Sequence, residues 1–458
     1  MPQSNILLIT SSQHRFDAFG SLGWGASPAT PYLDQLIANG IRFTNCTTTS
    51  PAGMPARVSL ATGLYPHNTG VWTDSQYEIP LTMNTWMRNI HSAGYRTSFF
   101  GLAEWYPHQG DLREQEDMLH SYGFDDVNET ANPRSLSRCD CNLTGVWEAE
   151  ALLDMFRDDM LERLSEDPNV IRKSPIGLEH FYDRYIGQCA KGYLEHFDLD
   201  QPWFCWISFP GPHDPWDTPD PYASIHPPSA FPEPIAPVPQ VDRSPQGLHD
   251  ALQPIDFAPR EIERLRADYM GNITLIDDQI GEILDTVEAR GELDRTVIVY
   301  TSDCGKMVGD HGLLYKGCFF ESALRVPLVV CPPCSLSVPG GTCNHSMVEW
   351  MDIGPTLAEW AGAPVDYPQF AKSLAGVIAS PDRPHRSEGI VEYAGEYAVR
   401  DNDWKAVINQ SGQVYRLFNL VDDPTEQHDL SADERYDDVC DRIRIRLFER
   451  IAQSQWMR

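Results

Sequence analysis

Short apolar runs alternate with helical patterns through most of this chain, and that alternation limits the possible folds more than any other feature. Residues 5–10 contain four aliphatic side chains in a row, which is typical of a strand buried on both faces. Residues 259–290 repeat apolar side chains at steps of three and four, which predicts one long amphipathic helix. The alternation predicts an α/β fold in which helices flank a large, mainly parallel sheet. Further helices are predicted at residues 30–39 and 81–93, and further strands at residues 41–44, 96–100, 203–209 and 296–301.

The pattern changes beyond about residue 373, where short strands replace the alternation. We therefore predict two units, a main α/β domain over residues 1–372 and a small C-terminal α+β domain over residues 373–458. The predicted elements of the second unit are strands at residues 389–393, 404–409 and 414–420 and a terminal amphipathic helix at residues 433–453.

The charge of the chain limits its partners. There are 66 acidic and 35 basic side chains, a net charge of −31. Nucleic acid and anionic membranes need clustered Lys and Arg, so we expect neither as a partner. No segment reaches the roughly 20 apolar residues of a membrane span, and the first residues lack the features of a secretory signal, so we expect a cytoplasmic protein. An anionic small molecule fits as a ligand if its pocket is locally basic, and an oligomer is equally compatible with the sequence.

The predicted sheet also indicates where a ligand would bind. Mainly parallel sheets place their ligands just beyond the carboxyl ends of the strands. That rule selects residues 11–14, 212–214 and 303–306. The proline-rich residues 219–259 are predicted to form an irregular surface segment, with a lid over this site as one reading.

One short motif and many ordered matches give the chain a family resemblance. Residues 50–57 read Ser-Pro-Ala-Gly-Met-Pro-Ala-Arg, which resembles the Cys-x-Pro-x-Arg signature (sometimes with Ser first) of the type I sulfatases and their phosphonate monoesterase relatives in the alkaline phosphatase superfamily. The resemblance implies the sandwich fold of that family. Similar segments extend along nearly the whole chain, at residues 5–10, 13–18, 30–36, 40–43, 212–215, 301–305, 309–312, 316–327 and 417–424.

Gly53 breaks the signature at its first position. In the family, the Cys or Ser there is oxidised to a formylglycine that attacks sulfur or phosphorus. Glycine has no side-chain atom to oxidise or to use in attack. The resemblance therefore identifies the family, while Gly53 marks a lost nucleophile.

The family's metal site is altered as well. The resemblance implies a divalent cation held by N-terminal aspartates and by a late Asp-His or Asp-Asn pair. Here Ser12 stands in place of an aspartate, Asp303 is retained, and Cys304 replaces the second member of the pair. A serine hydroxyl is a weak neutral ligand, so a divalent metal is a doubtful cofactor, with Asp303, Ser12 and Cys304 as a degenerate ligand set. His14 adjoins this set as a weaker candidate.

The anion-binding residues of the family are present. By the resemblance, Arg57 lies beside the nucleophile position, and His213 and Lys316 reach the oxygens of the transferred group. Cys304 has two readings. A thiol beside Asp303 is a candidate nucleophile or soft metal ligand, whereas a buried inert cysteine is the more common case.

Three functions are compatible with these residues. The first is a repurposed enzyme that binds an anionic small molecule and catalyses a hydrolase or transferase reaction without formylglycine. The second is a catalytically inactive sulfatase-like protein that acts by binding. The third is a conventional sulfate or phosphate ester hydrolase with an inactivated nucleophile. Retention of Arg57, His213 and Lys316 favours the first function.

Overall fold

The computed structural model describes residues 3–74, 77–167, 169–238, 247–252, 255, 258–336, 338–381 and 383–455. Its main feature is an eight-stranded sheet in the order β8-β2-β7-β6-β1-β5-β3-β4. Strand β7 runs antiparallel to both of its neighbours, and the other pairings in this sheet are parallel. The strands of the sheet are β1 (Asn5–Ser11), β2 (Ile41–Thr47), β3 (Arg96–Gly101), β4 (Asp126–Glu129), β5 (Trp203–Phe209), β6 (Thr296–Ser302), β7 (Leu328–Cys331) and β8 (Thr342–Glu349).

Helices cover both faces of the sheet, as the alternation of the sequence predicts. None of the described helices is long and apolar enough to cross a membrane. The helices are α1 (Pro31–Asn39), α2 (Gly53–Thr62), α3 (Pro66–Thr69), α4 (Trp86–Ser92), α5 (Glu116–Tyr122), α6 (Asn142–Ala149), α7 (Leu153–Glu166), α8 (Tyr182–His196), α9 (Leu248–Ala251), α10 (Pro259–Ala289), α11 (Glu321–Leu324), α12 (Ile353–Trp360), α13 (Ala375–Ala379) and α14 (Asp437–Gln453).

The central strand β1 shows why the sheet is buried on both faces. Successive side chains of a strand point to opposite faces. Leu8 therefore joins the apolar core that contains Trp206, whereas Ile9 joins the core on the other face, where it is in one cluster with Ile276 and Ile280 of α10. Burying one such aliphatic side chain is worth about 1.5–3 kcal/mol. The run of aliphatic residues in β1 thus fixes the centre of the sheet.

A second, antiparallel sheet forms the C-terminal part of the chain. One of its faces packs with α14 through Ile443 and Leu447. All of its strands and α14 lie within the predicted unit 373–458. The strands are β9 (Gly389–Tyr393), β10 (Glu396–Arg400), β11 (Trp404–Ile408) and β12 (Val414–Asn419), in that order across the sheet.

The structure differs from the predicted elements in several places, and it contains further elements that were not predicted, among them α5, α6, α7, α8, α12, β4 and β8. The helix predicted at residues 81–93 begins only at Trp86, after an extended Thr85. Strand β10 was not predicted, because its residues had no clear alternation. Helix α2 was also missed, since all ten of its residues are buried and an all-round buried helix has no amphipathic period. The proposed lid at residues 219–259 falls partly outside the described residues and stays a prediction.

Candidate active site

A cavity of about 710 Å³ lies beyond the carboxyl ends of β1, β3 and β5. Gln13, Glu104 and His213 follow those strands and line the cavity, and Asp74 and Lys316 line it from loops. This is the edge of the sheet that the rule for parallel strands selects. The cavity has the size of a site for a small molecule.

Gly53 is the first residue of the buried helix α2. A Cβ atom built on Gly53 would lie 2.7 Å from Oε2 of Glu104, 3.5 Å from Nζ of Lys316 and 3.7 Å from Oδ2 of Asp303. No real Cβ atom stays 2.7 Å from an oxygen, so any larger residue here must displace Glu104. The space for a side chain at position 53 is therefore occupied by the Glu104 carboxylate.

Glu104 was missed in the sequence analysis. The rule for parallel strands would have found it, because Glu104 comes three residues after the end of β3, a strand that was predicted. Its backbone has φ 53°, in the left-handed region that non-glycine residues rarely adopt. Just before it, Gly101 has φ 107°, and a Cβ there would lie 2.0 Å from the carbonyl oxygen of Ser208. The chain thus turns sharply at the end of β3 and holds Glu104 in a strained conformation, which is common at functional sites.

Glu104 is ionised at neutral pH. Burial acts to raise the pKa of its carboxyl, but Arg57 and Lys316 outweigh burial and hold that pKa below its usual value. Oε1 accepts a hydrogen bond from Nδ2 of Asn132 at 2.9 Å. Oε2 lies 3.6 Å from Nε of Arg57 and receives no hydrogen bond from the described residues. The side chain is 17% exposed. One carboxylate oxygen is thus fixed, and the other is left for a ligand.

Asp303 is fully buried and its two oxygens are satisfied by the protein. Oδ1 accepts hydrogen bonds from the backbone N–H groups of Gln13 and Cys304, at 2.9 and 2.8 Å. Oδ2 accepts from Oγ of Ser12 at 3.1 Å and from Nε of Arg57 at 3.0 Å. Arg57 thus forms an ion pair with this carboxylate, with its Nε 3.0 Å from Oδ2 of Asp303.

Arg57 is buried and braces the site. Its Nη1 donates hydrogen bonds to the carbonyl oxygen of Leu102 at 2.6 Å and to Oγ of Ser208 at 2.9 Å. Its Nη2 has no hydrogen-bond partner among the described residues. An unpaired buried donor is costly, about 1–3 kcal/mol, so this nitrogen indicates a place for an acceptor.

The residues of the degenerate metal set do not fit a divalent cation. Among the described residues, no group of three or more His, Cys, Asp or Glu side chains is arranged to hold a metal ion. Asp303 has both oxygens occupied by donors, and the Ser12 hydroxyl donates to it. His14 is buried with Nδ1 against the Tyr300 hydroxyl and Nε2 2.8 Å from a backbone carbonyl oxygen, so neither ring nitrogen can coordinate a metal without breaking a contact.

Cys304 lies next to Asp303 but is closed off from the cavity. The residue is fully buried. Burial, with Asp303 beside it, raises the pKa of the Cys304 thiol well above its usual value. A thiol that stays protonated and has no access is a poor nucleophile and a poor ligand. Burial therefore favours the inert interpretation of Cys304, and its roles as a nucleophile or a soft metal ligand stay predictions.

His213 and Lys316 are the cavity-lining members of the predicted anion shell. Nδ1 of His213 is 2.6 Å from the carbonyl oxygen of Asp214, so Nδ1–H donates and Nε2 of the neutral ring is an acceptor. Burial lowers the pKa of His213, which keeps the ring neutral at pH 7. Burial also acts to lower the pKa of Lys316, but Asp74, Asp303 and other nearby groups outweigh burial and raise it, so the ammonium stays charged.

A second buried ion pair stands beside His213. Nζ of Lys306 donates to Oδ1 of Asp214 at 2.7 Å and lies 4.4 Å from the ring centre of Trp216. Burial lowers the pKa of Lys306 to about 8 in spite of this pairing. Burial acts to raise the pKa of Asp214, but Lys306, His213 and Arg134 hold that pKa well below its usual value. Lys306 therefore points at a carboxylate rather than at solvent.

Comparisons with known proteins agree with the fold. The family model described as Sulfatase matches residues 4–363. The chain belongs to the sulfatase family. A second model, described as the C-terminal region of N-sulphoglucosamine sulphohydrolase, matches residues 309–453 of this sulfatase-family protein. The family lies within the alkaline phosphatase superfamily, as the sequence resemblance implies.

Individual relatives cover almost the whole chain. An arylsulfatase of Clostridium perfringens is 28% identical over 96% of this chain and 92% of its own length. A choline-sulfatase of Rhizobium meliloti is 26% identical over 93% of this chain and 82% of its own length. The crystal structure of a phosphonate monoester hydrolase of Agrobacterium radiobacter superposes with a TM-score of 0.81 at 23% identity, covering 99% of this chain and 96% of that one. This structural likeness shows the fold.

Proposed function

We propose that this sulfatase-family protein hydrolyses a small anionic ester, of the sulfate or phosphate type, without formylglycine. Its relatives named arylsulfatase and choline-sulfatase support a sulfate ester as the first substrate class to test. The cavity of about 710 Å³ suits a small molecule. Gly53 cannot supply the nucleophile, so the attacking group must come from another residue or from water.

The observation that carries this proposal is the position of the Lys316 ammonium. Lys316 lines the cavity, and its Nζ lies 3.5 Å from where a Cβ on Gly53 would be. Its Nζ lies 3.9 Å from Oδ2 of Asp74, which is a long ion pair, and none of the described residues accepts a hydrogen bond from it. A charged ammonium with free donors beside an open cavity is a binding group for an anion.

His213 and Arg57 support the same reading. The accepting Nε2 of neutral His213 gives the site a base at neutral pH. Arg57 does not line the cavity, but its Nε lies 3.6 Å from Oε2 of Glu104, and its Nη2 has no hydrogen-bond partner among the described residues. Together with Lys316, these groups provide charge stabilisation and proton transfer, two of the effects by which enzymes accelerate ester hydrolysis.

One observation favours the inactive alternative. The Glu104 carboxylate stands near Arg57 and Lys316, where the oxygen of an anionic ligand would bind. In that reading Glu104 fills the anion site permanently, and the protein acts by binding a partner elsewhere. The third function is a conventional hydrolase with an inactivated nucleophile. It has less support, because the metal-site residues differ from the family pattern as well as Gly53.

Steady-state hydrolysis tests the proposal. We expect the purified protein to turn over at least one aryl sulfate, phosphate or phosphonate ester, and Lys316→Ala to reduce kcat/KM by about 100-fold, the scale of losing one stabilising group for developing charge. Lys173→Ala is the matched control, because Lys173 is an exposed lysine paired with Asp220. The proposal fails if no ester is turned over, or if both lysine variants have the same rate as the unmodified protein.

A further inference from the structure

Gly53 and Glu104 occupy one space between them. The carboxylate oxygen Oε2 of Glu104 lies 2.7 Å from the position of a Cβ atom on Gly53. Glycine at position 53 is therefore what allows Glu104 to reach this point. Gly53 stands at the position of the lost nucleophile, and Glu104 places its carboxylate in the space that Gly53, which has no Cβ atom, leaves free.

Glu104 is held in place as a catalytic group must be. The left-handed backbone at φ 53° aims the side chain from the end of β3 into the cavity. Asn132 fixes Oε1 by a hydrogen bond of 2.9 Å. Such support keeps a reacting atom within a fraction of an ångström of its productive position.

The free oxygen has the properties of a nucleophile rather than of a plug. Nε of Arg57 lies closer to Asp303, at 3.0 Å, than to Glu104, at 3.6 Å. Lys316 forms an ion pair with Asp74 and none with Glu104. A carboxylate that merely filled an anion site would be expected to take the hydrogen bonds that this site offers. Oε2 takes none from the described residues, although two cations lie near it.

This inference rests on the proposed function and names the attacking group of that reaction. We propose that the Glu104 carboxylate is the catalytic nucleophile, and that its Oε2 attacks the sulfur or phosphorus atom of the bound ester. Lys316 offsets the repulsion between the carboxylate and the anionic substrate. Such carboxylates are established nucleophiles in other enzyme classes.

The two chemical steps balance without any further reactant except water. In the first step a bond forms between Oε2 and sulfur or phosphorus, the ester bond to the leaving oxygen breaks, and that oxygen takes a proton from solvent in the open cavity. In the second step Nε2 of His213 takes a proton from water, and the water oxygen attacks the same sulfur or phosphorus. The bond to Oε2 then breaks and restores the carboxylate, and His213 returns its proton to solvent. The net reaction is hydrolysis.

The decisive experiment detects the covalent intermediate. The unmodified protein is mixed with an ester that carries an isotopic label in its sulfate group, and in a second arm with one labelled in its phosphate group. The mixture is quenched in acid within one turnover and digested. We expect the label on the peptide that contains Glu104, and we expect hydroxylamine to convert that side chain to a hydroxamate. The arm that gives the label identifies the substrate class.

Two variants test the same assignment by rate. Glu104→Gln removes the attacking charge and is expected to lower kcat by at least about 1,000-fold, as loss of a nucleophile does, while sulfate binding is kept or strengthened. Gly53→Ala leaves every charge unchanged but pushes Oε2 away, so it is expected to lower kcat by about 100-fold, the cost of a displacement near 1 Å. Glu179→Gln, at an exposed glutamate, is the matched control. Circular dichroism shows whether Glu104→Gln folds. If it does not fold, the rate of Gly53→Ala alone decides the test.

The outcomes separate this inference from the proposed function. If the unmodified protein turns over its ester, but Glu104→Gln or Gly53→Ala retains the full rate, the Glu104 assignment is wrong and the function stands. If Glu104→Gln is inactive but no labelled peptide forms in either arm, Glu104 acts as a base and the nucleophile assignment is wrong. If no ester is turned over and Glu104→Gln binds sulfate more tightly, both proposals fall and Glu104 is an internal plug.

Discussion

Replacing Arg57 by methionine tests whether this residue neutralises the buried carboxylate of Asp303. The variant leaves a fully buried carboxylate without its nearest cation, 3.0 Å away in the unmodified protein. Removing one partner of a buried ion pair lowers the free energy of unfolding by about 3–5 kcal/mol. Within that total, about 1 kcal/mol each comes from the lost hydrogen bonds to Leu102 and Ser208, which do not depend on pH.

The pH dependence has a definite sign. In the unmodified protein, burial acts to raise the pKa of Asp303, but Arg57 and Lys316 hold it below its usual value. Its ionisation therefore contributes stability that is present above the unfolded carboxyl pKa of about 3.9 and is lost as pH falls through the lower folded value. Without Arg57 the folded pKa of Asp303 rises. The free-energy cost of the substitution is therefore larger at pH 7 than at pH 4.

Thermal unfolding measures both quantities. At about 2.1 cal/mol/K per residue, 458 residues give an unfolding entropy of about 1 kcal/mol/K, so the cost corresponds to a fall in Tm of about 3–5 °C at pH 7. Ser12→Ala is the matched control, since it removes a neutral hydrogen bond to the same oxygen of Asp303 and is expected to cost about 1 kcal/mol. An equal fall in Tm for Arg57→Met at pH 4 and pH 7 would refute the assignment of Arg57 as the counter-charge.

Two further predictions concern the same cavity. Gly53→Cys, co-expressed with a formylglycine-generating enzyme, is expected not to restore strong sulfatase turnover, because the new side chain meets Glu104 at 2.7 Å and Asp303 has no oxygen free for a metal. Arylsulfatase assays on the purified variant check this, and strong turnover would show that the metal site is more intact than its hydrogen bonds indicate. Asp214→Asn is expected to lower the free energy of unfolding by about 3–5 kcal/mol, since it leaves the buried Lys306 without its partner. Denaturant unfolding measures that loss, and Asp214→Asn combined with Lys306→Met is expected to recover part of it.

Much of the fold could be predicted from local sequence because its central strands are buried on both faces. Their aliphatic runs are continuous, as in β1 and β6, and the long helix α10 has a single apolar stripe. Helix α2 could not be found in this way, because burial on all sides removes the period on which such predictions depend. Strand β10 was difficult to predict for a similar reason, because four of its five residues are buried and its sequence shows no clear alternation.

The site was predictable only where it follows a motif or a strand end. Arg57, His213 and Lys316 were named from family positions, and the structure brings His213 and Lys316 to one cavity. The rule for parallel strands selects the position of Glu104, but its contact with Gly53 could not be predicted, because the two residues are distant in sequence and become neighbours only in the folded chain. A reactive role for Cys304 requires a thiol that a substrate can reach. Whether the thiol is accessible depends on packing in the folded chain, which a short sequence motif does not show.

The two buried pairs, Arg57 with Asp303 and Lys306 with Asp214, place fixed charges close to the cavity when the chain folds. Their positive charges belong to side chains and cannot be exchanged with the surroundings. Such a site keeps its potential when the ionic composition of its environment changes, whereas a site built on a bound ion gains and loses charge with the supply of that ion. The part of the field at the cavity that comes from these two pairs is thus encoded in the sequence itself.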